Sequence, residues 1–204
     1  MIKNVIFDFG QVLVHFEPDY MTGRYIKDET DKKLAKDVIF DRLYWDRLDS
    51  GTISEDEVIE GIKSRLPERL WEDSVSAYKN WIYNIPEVDK MADFIKYIKD
   101  KYGVKVYLLS NISKYFAEHS KEIEIIKDMD GCVFSAVCGF VKPNREIYEH
   151  ILDKYSLLPE ETVFIDDNEA NIKGAKDVGI EGYQFKKDPD KLKKWLDDKL
   201  KSKF

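Results

Sequence analysis

Five short β-prone runs punctuate the chain, and most of them lack the polar/apolar alternation of a strand with one wet face. They are Lys3–Phe9 (KNVIFDF), Val104–Leu109 (VKVYLL), Cys132–Val137 (CVFSAV), Thr162–Ile165 (TVFI) and Gly182–Phe185 (GYQF). Apolar strands of this length are buried on both faces, the pattern of a parallel sheet covered by helices. Helical spacing fills the gaps. Glu87–Lys101 puts Met91, Phe94, Ile95 and Ile98 on one face and ends at Gly103. Lys114–Lys127 and Arg145–Tyr155 read the same way. Asn168–Val178 stops at Gly179, and Pro189–Lys203 carries Leu192, Trp195, Leu196 and Leu200 on one side. Strand–helix–strand repetition implies right-handed crossovers and an open, mostly parallel α/β sheet flanked by helices.

From about His15 to Pro86 that alternation stops. No convincing strand lies there, and helices fit at Asp19–Lys27, Glu29–Phe40, Ser54–Arg65 and Glu68–Trp81. Ser54 with Glu57 forms a capping-box pattern. Asn84-Ile85-Pro86 reads as the return linker. The expected division is therefore an α/β core of residues 1–15 and 87–204, with a helical cap of residues 16–86 inserted after the first strand.

Charge and composition narrow the partners. The chain carries 33 basic and 40 acidic residues, a formal charge of −7, so a phosphate backbone would be repelled and nucleic acid is not an expected partner. A local positive site still admits small anions. Two cysteines, Cys132 and Cys138, give no disulfide framework and read as packed, inert thiols. The start MIKNVIFDFG is too short and interrupted for a signal peptide. No apolar run approaches the ~20 residues that span a bilayer. The expectation is a cytoplasmic protein with no membrane partner, a monomer or weak homodimer. The terminal lysine cluster, from Lys186 to Lys203, is interspersed with aspartates and reads as a solvated helix face.

Polar residues fall at the carboxyl ends of the strands, where open α/β sheets place ligands. The first run ends in Asp8, the second in Ser110-Asn111 and the fourth in Asp166-Asp167, and Lys142-Pro143 follows the third. Each alone has a plain structural reading as a turn, a cap or a surface charge. Together they fit phosphoryl transfer. Asp8 can attack phosphorus and form an aspartyl-phosphate. Clustered carboxylates call for a hard cation, and Mg²⁺ prefers such oxygen ligands. Lys142, Ser110 and the amide of Asn111 supply positive charge and donors for phosphoryl oxygens.

The runs IFDFGQVLV, LLSN, VKPNREIY and FIDDNEANIKGA, in this order, resemble the four motifs of the haloacid dehalogenase (HAD) superfamily. The helical insert resembles the small helical cap of that superfamily. The wording of the motifs is most similar to the subgroup containing bacterial α-D-glucose-1-phosphate phosphatase. The resemblance implies a Mg²⁺-dependent phosphatase acting on a small phosphorylated metabolite, with a sugar 1-phosphate as one candidate. It implies that Asp8 is the nucleophile and a metal ligand, and that the Gly10 carbonyl, Asp166 and Asp167 complete the metal site. Ser110 and Asn111 would bind phosphate, and Lys142 would bind phosphate and steady Asp8.

One departure from that pattern stands out. Most HAD phosphatases carry a second Asp two residues after the nucleophile, which protonates the leaving group. Here the position is Gly10. A sugar 1-phosphate has a less basic leaving oxygen, which suits the departure. His15 is a candidate substitute acid, although a hinge residue without chemistry is its plainer reading. Three other readings stay open: a 2-haloacid dehalogenase, against which the Asp166-Asp167 pair counts; an interaction protein with little catalysis; and a phosphomutase. Tyr44, Trp45 and the turn Asp49-Ser50-Gly51 are the cap elements nearest in kind to substrate contacts, with cap core as the plainer reading of the two aromatics.

Overall fold

A computed structural model describes residues 1–201. Five strands form one sheet: β1 (Asn4–Phe7), β2 (Lys105–Ser110), β3 (Gly131–Phe134), β4 (Thr162–Asp166) and β5 (Glu181–Gln184). Their spatial order is β3-β2-β1-β4-β5, and every pairing is parallel. Val5, Phe7, Val106, Leu108, Val163 and Ile165 feed the core on one face. Ile6, Tyr107, Leu109 and Phe164 feed a second core on the other. Both faces are dry, which is why the strands do not alternate.

Between β1 and the rest of the sheet lie α1 (Pro18–Gly23), α2 (Glu29–Ile39), α3 (Arg42–Asp49), α4 (Glu55–Arg65) and α5 (Trp71–Asn80). They bury Ala35, Val38, Ile39, Val58, Ile62 and Tyr78 in a cluster of their own. The two chain crossings are hydrogen-bonded to each other: His15 N–H donates to Pro86 C=O at 2.8 Å, and Val88 N–H to Leu13 C=O at 2.8 Å. The remaining helices are α6 (Met91–Tyr102), α7 (Lys114–His119), α8 (Glu124–Lys127), α9 (Ser135–Cys138), α10 (Arg145–Tyr155), α11 (Glu169–Lys176) and α12 (Pro189–Lys201). None of the described helices is long and apolar enough to cross a membrane.

Several local expectations are redrawn. The run from Cys132 stops being a strand at Phe134, because Ser135 opens the short helix α9 instead. Its hydroxyl accepts the Ile112 N–H at 2.8 Å and donates to the Asp49 carbonyl at 2.6 Å, so turning here docks the chain against two neighbours. The helix expected from Glu87 starts at Met91, since Glu87 and Val88 pair with Val14 and Leu13. The helix expected over Lys114–Lys127 breaks after His119, where Ser120 returns its hydroxyl to the Ala117 carbonyl and Ile123 becomes extended. The first insert helix ends at Gly23, its last carbonyls taken by the Lys27 ammonium, and not at Lys27. Helix α3 has no counterpart in the sequence reading, because Leu43 is exposed and only Leu48 of its apolar residues is fully buried. The Ser54–Glu57 capping box forms with both of its hydrogen bonds. Leu192 and Leu196 of the terminal helix are buried, with Trp195 and Leu200 packed beside them. Lys203 lies outside the described residues.

Candidate active site

The sheet order fixes the site. β1 is central, and its register sets Phe7 beside Leu108 on one side and Ile165 on the other. One residue further along, Asp8 and Asp166 therefore emerge side by side, and the Asp8 N–H donates to the Ile165 carbonyl at 2.9 Å. The strand order reverses between β1 and β4, which is where open α/β sheets bind ligands.

Lys142 joins these carboxylates. Its Nζ lies 2.7 Å from Asp8 Oδ1 and 2.7 Å from Asp166 Oδ2, with its side chain only 2% exposed. Burial works against the Lys142 ammonium, but the two aspartates hold it above the usual lysine range. Asp8 feels the opposite balance. Burial pushes its carboxyl up, Lys142 pulls it down and Asp166 pushes it up again, leaving it raised to about 7. Asp167 is also raised, by burial first and then by Asp166.

Two groups hold the lysine loop in place. The Asn111 carboxamide accepts the Lys142 N–H at 2.8 Å and donates to the Lys142 carbonyl at 2.9 Å. Its side chain thus positions Lys142, and its backbone N–H is a further donor at the strand end. Gly174 of α11 lies directly against the Pro143 carbonyl, where a Cβ would collide. Asp166, wholly buried, accepts from Asn168 N–H at 2.8 Å and from Asn171 Nδ2 at 3.0 and 3.1 Å. The cap of α11 is Asn168, whose side chain accepts the Ala170 N–H at 2.9 Å. The Asp166-Asp167 pair is thus free of the helix-capping role that the run could have had.

Asp8, Asp166 and Asp167 each offer one oxygen within 4.8 Å of the others. A hard, oxygen-preferring divalent ion suits this donor set, because three converging carboxylates outnumber the one buried ammonium. Mg²⁺ held there by these side chains and the Gly10 carbonyl would act as a Lewis acid and neutralise phosphoryl charge.

Asp8, Gly10, Ser110, Asn111, Lys142 and Asp167 line one cavity of about 370 Å³, and Asp166 lies behind its wall. The far side of the cavity comes from the helical segment. Phe16, Phe40, Trp45 and Trp81 pack ring against ring at 5.2–5.8 Å, and Trp81 stacks on Phe116 of the core at 5.6 Å. Trp45 lines the cavity; Tyr44 does not, lying instead against Gly61 and beneath Arg65. His15, the candidate acid, is absent from the lining. Asp49, from the turn that the sequence marks as a cap element to watch, lines the cavity, and so do Asp46, Arg42 and Asn171, which the motifs do not point to. Asn171 carried a usable signal, as a polar residue beside Ile172 on the buried face of α11. Asp49 carried none beyond its place in the Asp49-Ser50-Gly51 turn. Cys132 is a half-buried thiol that desolvation pushes up to about 11, in keeping with an inert role.

Comparisons with known proteins bear on the family and the fold. The sequence signature described as haloacid dehalogenase-like hydrolase matches residues 2–179. A D-ribitol-5-phosphate phosphatase of Bacteroides thetaiotaomicron is 30% identical over 195 residues, covering 90% of this chain and 92% of its own. A phosphorylated carbohydrates phosphatase of Thermotoga maritima is 24% identical over 183 residues, covering 88% and 83%. Among solved structures, a HAD family enzyme of Bacteroides thetaiotaomicron in complex with magnesium and inorganic phosphate superposes with a TM-score of 0.69 at 22% identity, covering 91% of this chain and 95% of that one. Signature, overall similarity and sheet topology converge: the chain belongs to the haloacid dehalogenase-like hydrolase family.

Proposed function

We propose that the protein is a Mg²⁺-dependent phosphatase of phosphorylated carbohydrates, with Asp8 as nucleophile. The observation that carries this reading is the Asp8–Lys142–Asp166 bridge, set on a cavity that also holds Asp167. Attack of an Asp8 oxygen on phosphorus makes an aspartyl-phosphate, which water then hydrolyses. Lys142 holds Asp8 in one rotamer and places a buried positive charge where phosphoryl oxygens gather. Ser110 and the backbone N–H of Asn111 line the same wall and donate to those oxygens. Mg²⁺ bound by Asp8, Asp166, Asp167 and the Gly10 carbonyl supplies charge neutralisation.

Residues 16–86 serve as the cap over this site. Their aromatic rings offer flat faces to the C–H side of a carbohydrate, while Arg42, Asp46 and Asp49 offer polar partners to its hydroxyls. Phosphatase relatives with carbohydrate substrates support this class. Halide displacement from carbon is the weaker alternative, since it has no use for a third carboxylate beside Asp8. The test is hydrolysis of a panel of phosphorylated carbohydrates, including both anomers of sugar 1-phosphates and D-ribitol 5-phosphate. Mg²⁺ is supplied or chelated, and Asp8→Asn is the blank. Release of phosphate that needs both Mg²⁺ and Asp8 is the expected result. No phosphate release, or turnover indifferent to chelator, would reject it.

A further inference from the structure

Expelling a carbohydrate from its phosphate ester leaves charge on an alkoxide oxygen, and a positioned acid is worth ~10²–10⁴-fold in such a step. The groups that line the cavity are few enough to weigh one by one. Asp8 forms the new bond. Lys142 is held between two aspartates. Asp167 belongs to the carboxylate cluster. Gly10 has no side chain, and His15 is not in the lining. Asp46 is exposed and paired with Arg42 at 3.2 Å. Asp49 remains. Among the described residues its carboxyl makes no hydrogen bond and no ion pair, although it lines the same cavity as Asp8.

Asp49 is also held in place. It ends α3, and its carbonyl accepts the Ser135 hydroxyl of the core at 2.6 Å. Two residues later Gly51 has φ +69°, and its α-carbon is so close to the Ala136 carbonyl that a Cβ would collide at 2.8 Å. The turn is thus seated on α9, not free above the cavity. A carboxyl with no partner inside a cavity, on a fixed turn opposite the nucleophile's wall, is an unspent acid.

We propose that Asp49, from the helical segment, donates the proton to the departing carbohydrate oxygen. This rests on the phosphatase reading above. As the Asp8 Oδ–P bond forms, the P–O bond to the carbohydrate breaks and its electron pair stays on the departing oxygen. That oxygen takes the Asp49 proton and leaves as a neutral alcohol, with Asp49 now a carboxylate. When water attacks the aspartyl-phosphate, its oxygen bonds to phosphorus, the bond to Asp8 breaks, and a water proton returns to Asp49. The charges around Asp49 are compatible with holding a proton before the step. Burial, and then Asp46, push its carboxyl up against the pull of Lys142 and Arg42, leaving it raised to about 7. Lys114 also lies against the turn, beside Gly51.

The test compares phosphoenzyme formation by rapid quench in the Mg²⁺-loaded wild type and in Asp49→Asn. One substrate is an alkyl ester, D-ribitol 5-phosphate or whichever carbohydrate phosphate the panel identifies. The other is p-nitrophenyl phosphate, whose leaving group needs no acid. The expected result is a loss of ~10²–10⁴-fold on the alkyl ester and less than about tenfold on the aryl ester. Asp49→Ser, which also removes the acid but not the carbonyl that binds Ser135, should give the same split. Equal loss on both esters, or loss on neither, overturns the proposal, as does a wild type that accepts only the aryl ester. A wild type that forms phosphoenzyme from neither ester defeats instead the phosphatase reading on which the proposal rests.

Discussion

The side chain of Asn111 holds the backbone of Lys142 from both sides, accepting its N–H at 2.8 Å and donating to its carbonyl at 2.9 Å. This reciprocal pair joins the end of β2 to the loop before α10, so the lysine between Asp8 and Asp166 is positioned by a residue on a neighbouring strand. Asn111→Ala leaves both backbone groups without that partner. Unfolding in urea should show a loss of about 1–3 kcal/mol, together with a fall in kcat of at least about tenfold. A variant as stable and active as the wild type would show that the lysine loop holds itself.

Asp8→Asn keeps shape and removes the proposed nucleophile. Turnover should fall to background, and rapid quench should find no acid-stable, hydroxylamine-labile phosphoenzyme, because a carboxamide is a poor nucleophile. Near-normal turnover would remove Asp8 from the reaction.

Mg²⁺ should stabilise as well as activate. A ligand at a hundred times its Kd adds about 2.7 kcal/mol to the native state. Thermal melts with Mg²⁺ and with chelator should differ accordingly, and the difference should vanish in Asp166→Asn. A melt that ignores Mg²⁺ would contradict the assignment of Asp8, Asp166 and Asp167 as ligands.

Gly10 has open space around the position of an added Cβ. Gly10→Asp should therefore be accommodated with little change in melting temperature, and it places a second acid near the departing oxygen. In an Asp49→Asn background it should raise the rate on alkyl phosphates by roughly tenfold or more, within the usual worth of a general acid. A double variant no faster than Asp49→Asn alone would show that this position does not reach the leaving group.

Asp197 fastens α12 to α6, accepting from Tyr102 at 2.7 Å, Tyr97 at 3.1 Å and Lys193 at 2.8 Å. Burial pushes its carboxyl up, but Lys193 and the two tyrosines outweigh that and bring it down to about 2. A depressed carboxylate pKa stabilises fully above the ordinary value of 3.8 and loses its effect as pH falls through about 2. Asp197→Ala should cost about 1–2 kcal/mol at neutral pH and progressively less below pH 4. A deficit that is constant from pH 7 to pH 2 would assign the loss to packing alone.

Much of this architecture is legible along the chain because its signals are local. The dry strands around Val5, Val106 and Val163 announce themselves by runs of apolar residues, and the capping box at Ser54 by a spacing of three. The places where the reading slips are places where a distant partner overrides local preference. Ser135 turns β3 into a helix because it serves both Ile112 and Asp49. Val88 leaves α6 because Leu13 takes its N–H. Helix α3 hides because its apolar residues point different ways: Trp45 joins the rings of Phe16, Phe40 and Trp81, Leu48 joins the core of the helical segment, and Leu43 is exposed, so no stripe is visible in its own eight residues.

The sequence by itself determined the sheet, the helical insert and the row of polar residues at the strand ends, since strand period and position along a strand are properties of neighbouring residues. The tertiary structure decided what those residues do to one another. Only the parallel register sets Asp8 beside Asp166, and only their shared burial makes Lys142 the counter-charge for both. Only the seating of the Asp49 turn on α9, 86 residues away, brings a lone carboxyl into the cavity while leaving His15 outside it. Burial and charge proximity depend on contacts between remote segments, and no spacing along the chain encodes them.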